Sequence, residues 1–573
     1  MAKLAIILQI PKRKNEKSIL HARLFLWFPY LKFARVAKIC YICEADKPLS
    51  QFMEKKILYP VDTASFSNIR ENGFVYVDKT GYIHVLTESN GRYFFLARPR
   101  RFGKSLFLDT LAEYFLGNRD LFKGLAIDSL QPQEWKSYPV LRINLTGKDY
   151  ADSNSLIIHL KSQLNRLEKE TSLEEDSNEF EGKFTSLIQR ISEKSGKKVV
   201  ILIDEYDAPL SSAIDNPELQ EKYRGQLHGF YSVLKASEEY IQFCFLTGVT
   251  RYGKVSIFSG LNNLRDITFL DEYAGICGVT NEELRRYYSE GVGNFAASKG
   301  VSPEEIFELL KFHYDGYHFS ESMLDIYNPF SLNHAMANQK IDNYWCRSGV
   351  PTILSKSLME DDFRVETLNG IRVDSDALSD LSMYLMNPIP LFYQTGYITL
   401  KSYNSKRQLF TLGYPNREVE TGILRNILKF YTGYKKSDRV LVYDMEDALE
   451  DGNPEEFLKI LKSFLADIPS QLHKYVSRYE NYYHTVFYCL TTLIGLDVEA
   501  EYSTSEGFID MLIKTAGYIY IIELKVNGTA EDAMAQIDEK HYAAPFAADS
   551  RKVVKIGIGF SSETHNIASS LIR

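Results

Sequence analysis

At 573 residues the chain is too long for a single hydrophobic core and divides into three or four domains. A hydrophobic fraction of 45% with 25% charged residues belongs to a globular protein, and a net charge of −8 excludes a protein that coats nucleic acid by charge alone. Six scattered cysteines exclude a disulfide scaffold and fit a reducing cytoplasm, and every apolar run falls short of the eighteen or so residues a membrane span needs.

Residues 1–52 are basic (Lys12, Arg13, Lys14, Lys17, Arg23, Lys32) and aromatic, without helical or strand periodicity. We read them as an extension foreign to the folded protein, with Met53 as the natural start; the alternative is a basic surface-binding arm. Cys40 and Cys43 lack a second pair at zinc-site spacing, which argues against a metal role.

Residues 53–270 read as an α/β domain with a parallel sheet. The apolar run Tyr93-Phe94-Phe95-Leu96-Ala97 predicts a strand, and Arg98-Pro99-Arg100-Arg101-Phe102-Gly103-Lys104-Ser105 a loop opening a helix from Leu106 to Phe115. The loop ends in the Gly-Lys-Ser of a P-loop, whose backbone amides cradle phosphates while the lysine reaches the β- and γ-phosphates and the serine hydroxyl binds Mg²⁺. Arg98 stands where the usual first glycine belongs. Val140–Leu145, Val199–Ile203 and Ile241–Gly248 predict three further strands, apolar enough to be covered on both sheet faces. The run from Val199 ends in Asp204-Glu205, where Asp204 would hold the water shell of Mg²⁺ and Glu205 would orient the attacking water. Thr247 or Thr250, with Arg251, stands where a γ-phosphate sensor is needed.

Residues 271–472 read as a helical lid and connector. Thr280-Asn281-Glu282-Glu283 and Ser302-Pro303-Glu304-Glu305 spell two capping boxes, the second with proline at its first helical position. In an oligomer, Arg265, Arg285 or Arg286 would supply a finger to a neighbouring nucleotide, although each reads first as a surface charge.

Residues 473–573 carry the densest chemistry. A helix from Asn481 to Tyr488 precedes a hairpin whose strands hold Asp510 and Glu523-Leu524-Lys525. With a turn centred on Thr515 and Ala516, Asp510 faces Ile521 and lies diagonal to Glu523, while period-2 alternation puts Glu523 and Lys525 on one face. Two such carboxylates hold Mg²⁺, and the lysine positions a water or neutralises a developing oxyanion.

The D…E-x-K arrangement resembles the PD-(D/E)xK nuclease superfamily, with isoleucine at the position of the naming proline. The resemblance implies Asp510 and Glu523 as metal ligands, Lys525 as the catalytic cation, and Glu480 and Gln536 as supporting members. The segments Val75-Tyr76-Val77-Asp78-Lys79-Thr80, the Arg-rich P-loop, Leu202-Ile203-Asp204-Glu205-Tyr206-Asp207, Leu246-Thr247-Gly248-Val249-Thr250, Tyr314-Asp315-Gly316-Tyr317 and Gln394-Thr395-Gly396-Tyr397 look like the predicted AAA-ATPase-like family commonly fused to such a module. That resemblance implies ATP and Mg²⁺ as cofactors, Arg101, Gly103, Lys104, Ser105, Asp204, Thr247 and Arg251 around the nucleotide, DNA or RNA as the partner, and a cytoplasmic enzyme. The alternative is a nucleotide-driven switch or assembly protein whose nuclease-like fold only binds nucleic acid or a protein. A simple P-loop kinase or GTPase leaves the last hundred residues unexplained.

Overall fold

Five parallel strands form the first sheet: β1 (Tyr93–Ala97), β2 (Val140–Asn144), β3 (Val199–Asp204), β4 (Ile241–Gly248) and β5 (Arg265–Asp266), in the order β2-β3-β4-β1-β5. The computed structural model describes residues 57–133, 135–173, 180–251, 257–258, 261, 263–346, 365–378, 387–433, 439–473 and 479–573. The basic extension 1–52, with Cys40 and Cys43, lies outside them.

Every side chain of β1 and β3 is buried, which is why these segments read as unbroken apolar runs rather than alternating ones. Each buried Ile, Leu or Phe there contributes about 2 kcal/mol. Helices α1 (Lys104–Leu116), α2 (Ser155–Glu170), α3 (Phe180–Ser195) and α4 (Pro217–Ala236) cover the sheet.

Helices α5 (Asn281–Lys299) and α6 (Pro303–Tyr314) begin in the two expected capping boxes, each closed in both directions by Thr280 with Glu283 and by Ser302 with Glu305. The connector is less purely helical than its sequence suggests. Strands β6 (Arg372–Val373), β7 (Thr399–Asn404) and β8 (Leu409–Gly413) form a small antiparallel sheet before helices α7 (Arg417–Thr432), α8 (Arg439–Glu450) and α9 (Pro454–Ala466). The short polar turn at Asn404–Gln408 lets β7 and β8 pair locally.

The terminal module opens with α10 (Tyr479–Ile494). Strands β9 (Asp497–Ser503), β10 (Phe508–Lys514), β11 (Tyr518–Val526), β12 (Lys552–Ser561) and β13 (Asn566–Ile572) stand in sequential order, with only β11 and β12 parallel. Helix α11 (Ala530–Glu539) makes the crossover between that parallel pair. One cluster of buried apolar side chains runs from β1 through the connector helices to Tyr520, Ile522 and Leu524, and a smaller one joins Ile519 and Ile521 to Met534 and Ile537 of α11.

Glu418 of α7 is 1% exposed and accepts the Trp345 backbone amide at 2.6 Å. Burial pushes its carboxyl up to about 7, against the pull of the Ser331 hydroxyl and neighbouring backbone amides. Ionising this group therefore opposes folding. The penalty is absent below the unfolded value near 4.5, grows as pH rises through 7, and is full above it. Glu418→Gln should accordingly raise stability at pH 8 by up to about 3 kcal/mol and leave it unchanged at pH 4. Melting curves at the two pH values check this; an equal shift at both would remove the assignment.

Candidate functional site

Two polar pockets stand at the ends of otherwise apolar strands. In the first, β1 runs out at Ala97 and the chain turns into a loop whose last residue, Gly103, has φ +92° and caps α1. A side chain there would be strained, and the cap leaves the first amides of α1 free for an anion. Arg101 and Glu205, at φ +67° and +51°, also hold left-handed conformations that non-glycine residues seldom adopt, on the two loops facing this pocket.

The Lys104 side chain is 3% exposed, and its Nζ lies 3.2 Å from the Pro99 carbonyl and 3.4 Å from Glu205 Oε1. Beside it, Asp204 is 5% exposed, and its Oδ1 has no hydrogen-bond partner. Burial raises the Asp204 carboxyl above its ordinary range, while the Ser105 hydroxyl pulls it down. A buried carboxylate oxygen left bare beside a serine hydroxyl and a lysine fits a hard cation with its water shell. On β4, Thr247 is wholly buried and its Oγ1 also has no partner.

The neighbouring candidates are already engaged. Thr250 donates its amide to Asp207 Oδ2 at 2.7 Å and bonds the same oxygen through its hydroxyl. Arg251 reaches Asp266 Oδ2 at 2.7 Å, and its amide donates to Gln394 Oε1 at 2.6 Å. Arg98 is 1% exposed, donates to the carbonyls of Ala97, Thr268 and Tyr273, and lies 4.3 Å over the Phe319 ring. It bolts the loop to the lid, a role no spacing rule reveals. Arg101 lies 4.0 Å over Phe330, and the Trp345 indole donates to the Arg100 carbonyl at 3.1 Å. An apolar cavity of about 70 Å³ adjoins Gly103, lined by Tyr76, Phe102, Leu106, Thr110, Cys277 and Gly278.

The second pocket is built on the β10–β11 hairpin. Its turn is Thr515–Tyr518, closed by the Thr515 amide donating to the Tyr518 carbonyl at 2.9 Å, with Ala516 and Gly517 in the middle. The ladder pairs Met511 with Ile522 and Leu512 with Ile521, so one step further sets Asp510 directly opposite Glu523. The sequence reading had them diagonal. The turn is one position later than Thr515-Ala516, which moves the pairing by two residues and so preserves the face.

Glu523 is 0% exposed. Its Oε1 accepts Lys525 Nζ at 3.1 Å and a short bond from Gln536 Nε2 of α11, and its Oε2 has no partner. Burial, and then the charge of Asp510, push the Glu523 carboxyl up to about 7. Asp510 Oδ2 accepts the Leu524 amide at 2.8 Å and lies 3.9 Å from Nε2 of His484. Gln536 also reaches Tyr542 Oη at 3.4 Å.

His484 is the member that sequence reasoning missed. The expected acid, Glu480, lies one helical turn earlier, and its side chain is outside the described residues. That four-residue spacing on α10 is the signal that would have found His484. Among the described residues no three His, Cys, Asp or Glu side chains converge as metal ligands, so an ion at this pair of carboxylates would need water or a phosphate as further ligands, as Mg²⁺ accepts. The bare Glu523 Oε2 beside Asp510 fits that use. Among the described residues no helix is long and apolar enough to cross a membrane.

Residues 60–258 match the family model described as a predicted AAA-ATPase, and residues 478–570 match that of the PD-(D/E)XK nuclease superfamily. The chain is 32% identical over 528 residues, 91% of its own length and 99% of its relative's, to an uncharacterized protein in the vnfD 5' region of Azotobacter chroococcum mcd 1. Among solved structures it matches the Aeropyrum pernix ORC2 protein in its ADPNP-ADP complexes. That match has 11% identity over 66% of this chain and 97% of the other, at a TM-score of 0.21, too low to carry an argument.

Proposed function

The chain belongs to the family of predicted AAA-ATPases that end in a PD-(D/E)XK nuclease-superfamily domain, and from that premise we propose that it binds and hydrolyses ATP and cleaves phosphodiester bonds of DNA or RNA. The observation that carries the reading is Glu523. A carboxylate with no exposed surface, one oxygen bare and a second acid opposite it, costs stability that a bound cation would offset beyond what Lys525 and Gln536 already do.

At the first pocket, the amides at the start of α1 and Lys104 bind the triphosphate. Ser105 and Asp204 hold Mg²⁺ through oxygen ligands, Thr247 faces the terminal phosphate, and Glu205 orients the attacking water. Arg101 stands at the rim, while Arg251, held by Asp266 and Gln394, fixes the end of β4 and transmits the state of the phosphate to the connector. In the second pocket, Asp510 and Glu523 hold the ion, which supplies a water of lowered pKa and stabilises charge on the phosphate. Lys525 neutralises the developing charge on the non-bridging oxygen. Gln536 fixes the rotamer of Glu523, and His484 limits the swing of Asp510.

The test is incubation of the full chain with end-labelled single- and double-stranded DNA and RNA, with Mg²⁺, Mn²⁺ or EDTA, and with or without ATP. We expect cleavage that requires the ion and responds to ATP. Tight ATP binding without cleavage of any substrate under any metal would sink the nuclease half and leave a nucleotide-driven switch.

A further inference from the structure

The hairpin that precedes Asp510 presents an aromatic ring to solvent beside the second pocket. Phe508 is 60% exposed, although Ile509 and Met511 after it on β10 are wholly buried. Its position is rigid. Thr504 accepts the amides of Glu506 and Gly507 at 3.2 and 3.1 Å, its own amide donates to the Gly507 carbonyl at 2.7 Å, and Ser503 pairs with Phe508 across the ladder.

Tyr502 and Ile509 face each other one step inward and pack into the cluster of Tyr542 and Phe546, with the Tyr502 and Phe546 rings 5.7 Å apart. Phe508 itself stays out of that cluster, its ring mostly open to water. The hairpin is also tied to the acid itself. A Cβ at Gly507 would lie 2.9 Å from Tyr542 Oη, and Tyr542 is the second partner of Gln536, which holds Glu523.

Two strand residues span about 7 Å, so the backbone of Phe508 stands one nucleotide's reach from that of Asp510. A phenyl ring at that place offers a flat apolar face on which a base can stack. Bases in a duplex interior offer no free face, whereas those of a single strand or a frayed end do. Resting on the nuclease reading, we propose that Phe508 is the stacking platform for the base flanking the scissile phosphate, and that the substrate class is single-stranded or frayed nucleic acid.

The experiment uses the full chain with Ca²⁺ in place of Mg²⁺ to block turnover, and oligonucleotides of DNA and of RNA carrying 2-aminopurine, single-stranded or as blunt duplexes. Wild type should bind and quench the single strand more strongly than the duplex. Phe508→Ala should lose about tenfold in single-strand affinity together with the quenching, Phe508→Trp should retain both, and duplex binding should not change. The DNA and RNA arms show which backbone is preferred. Equal single-strand binding by wild type and Phe508→Ala, or a wild-type preference for blunt duplex, overturns the proposal. A parallel Mg²⁺ cleavage assay separates the two failures. Cleavage with an indifferent Phe508→Ala defeats only the platform, whereas a wild type that neither cuts nor binds any oligonucleotide defeats the nuclease reading and the platform with it.

Discussion

Glu523→Gln should lower phosphodiester cleavage by about a thousandfold and leave the protein at least as stable as wild type at pH 8. The first effect follows because the neutral amide keeps the shape of the side chain but withdraws the charge that holds the ion against the phosphate. The second follows from the packing around the carboxylate. Glu523 is wholly buried, one of its oxygens is bare, and Asp510 repels it. Removing an unfavourably buried charge while keeping an acceptor for Lys525 and Gln536 costs little or stabilises. Millimolar Mg²⁺ should raise the melting temperature of wild type more than that of the variant, a readout independent of turnover. Cleavage within tenfold of wild type, or an equal Mg²⁺ shift in both proteins, would remove Glu523 from the site.

The second large effect is at the P-loop lysine. Lys104→Ala should weaken MgATP binding about a hundredfold by calorimetry. The ammonium is almost fully buried, 3.4 Å from Glu205 and 3.2 Å from the Pro99 carbonyl, so its charge is little screened by water. Its loss leaves Asp204 and Glu205 facing the phosphates without a counter-charge. Affinity within threefold of wild type would mean that the helix terminus alone binds the triphosphate, and the role assigned to Lys104 would fall. An unchanged circular dichroism spectrum separates this result from unfolding.

The elements of both pockets were legible because they are local. The runs at Val199–Ile203 and Ile241–Gly248 needed no partner to declare themselves, since a strand covered on both faces has little room for polar residues. The capping boxes at Thr280 and Ser302 were equally local, each closing over four residues. Glu523 and Lys525 share a face by alternation alone. The register of the hairpin was not legible to better than two residues, because it depends on which of two adjacent dipeptides occupies the turn. Thr515 settles that through its amide and its hydroxyl, which bond Tyr518 at 2.9 and 3.0 Å.

Spacing also misled where a side chain is spent on a distant segment. Thr250 and Arg251 follow β4 as phosphate sensors should, yet Asp207 engages the first and Asp266 with Gln394 the second. Arg98 reads as a lost glycine and serves as a buried tie to Thr268 and Tyr273, some 170 residues on.

By itself the sequence determined four strands of the first sheet and the hairpin of the second, the Gly-Lys-Ser loop, the acid pair at the end of β3 and the E-x-K strand, because apolar periodicity and short motifs are properties of neighbouring residues. Only the tertiary structure decided that Asp510 stands opposite Glu523, that His484 closes on it from α10, that one Glu523 oxygen is left bare, and that Phe508 faces solvent. Burial and unmet hydrogen bonds are created by segments far apart in the chain, and no local pattern carries them.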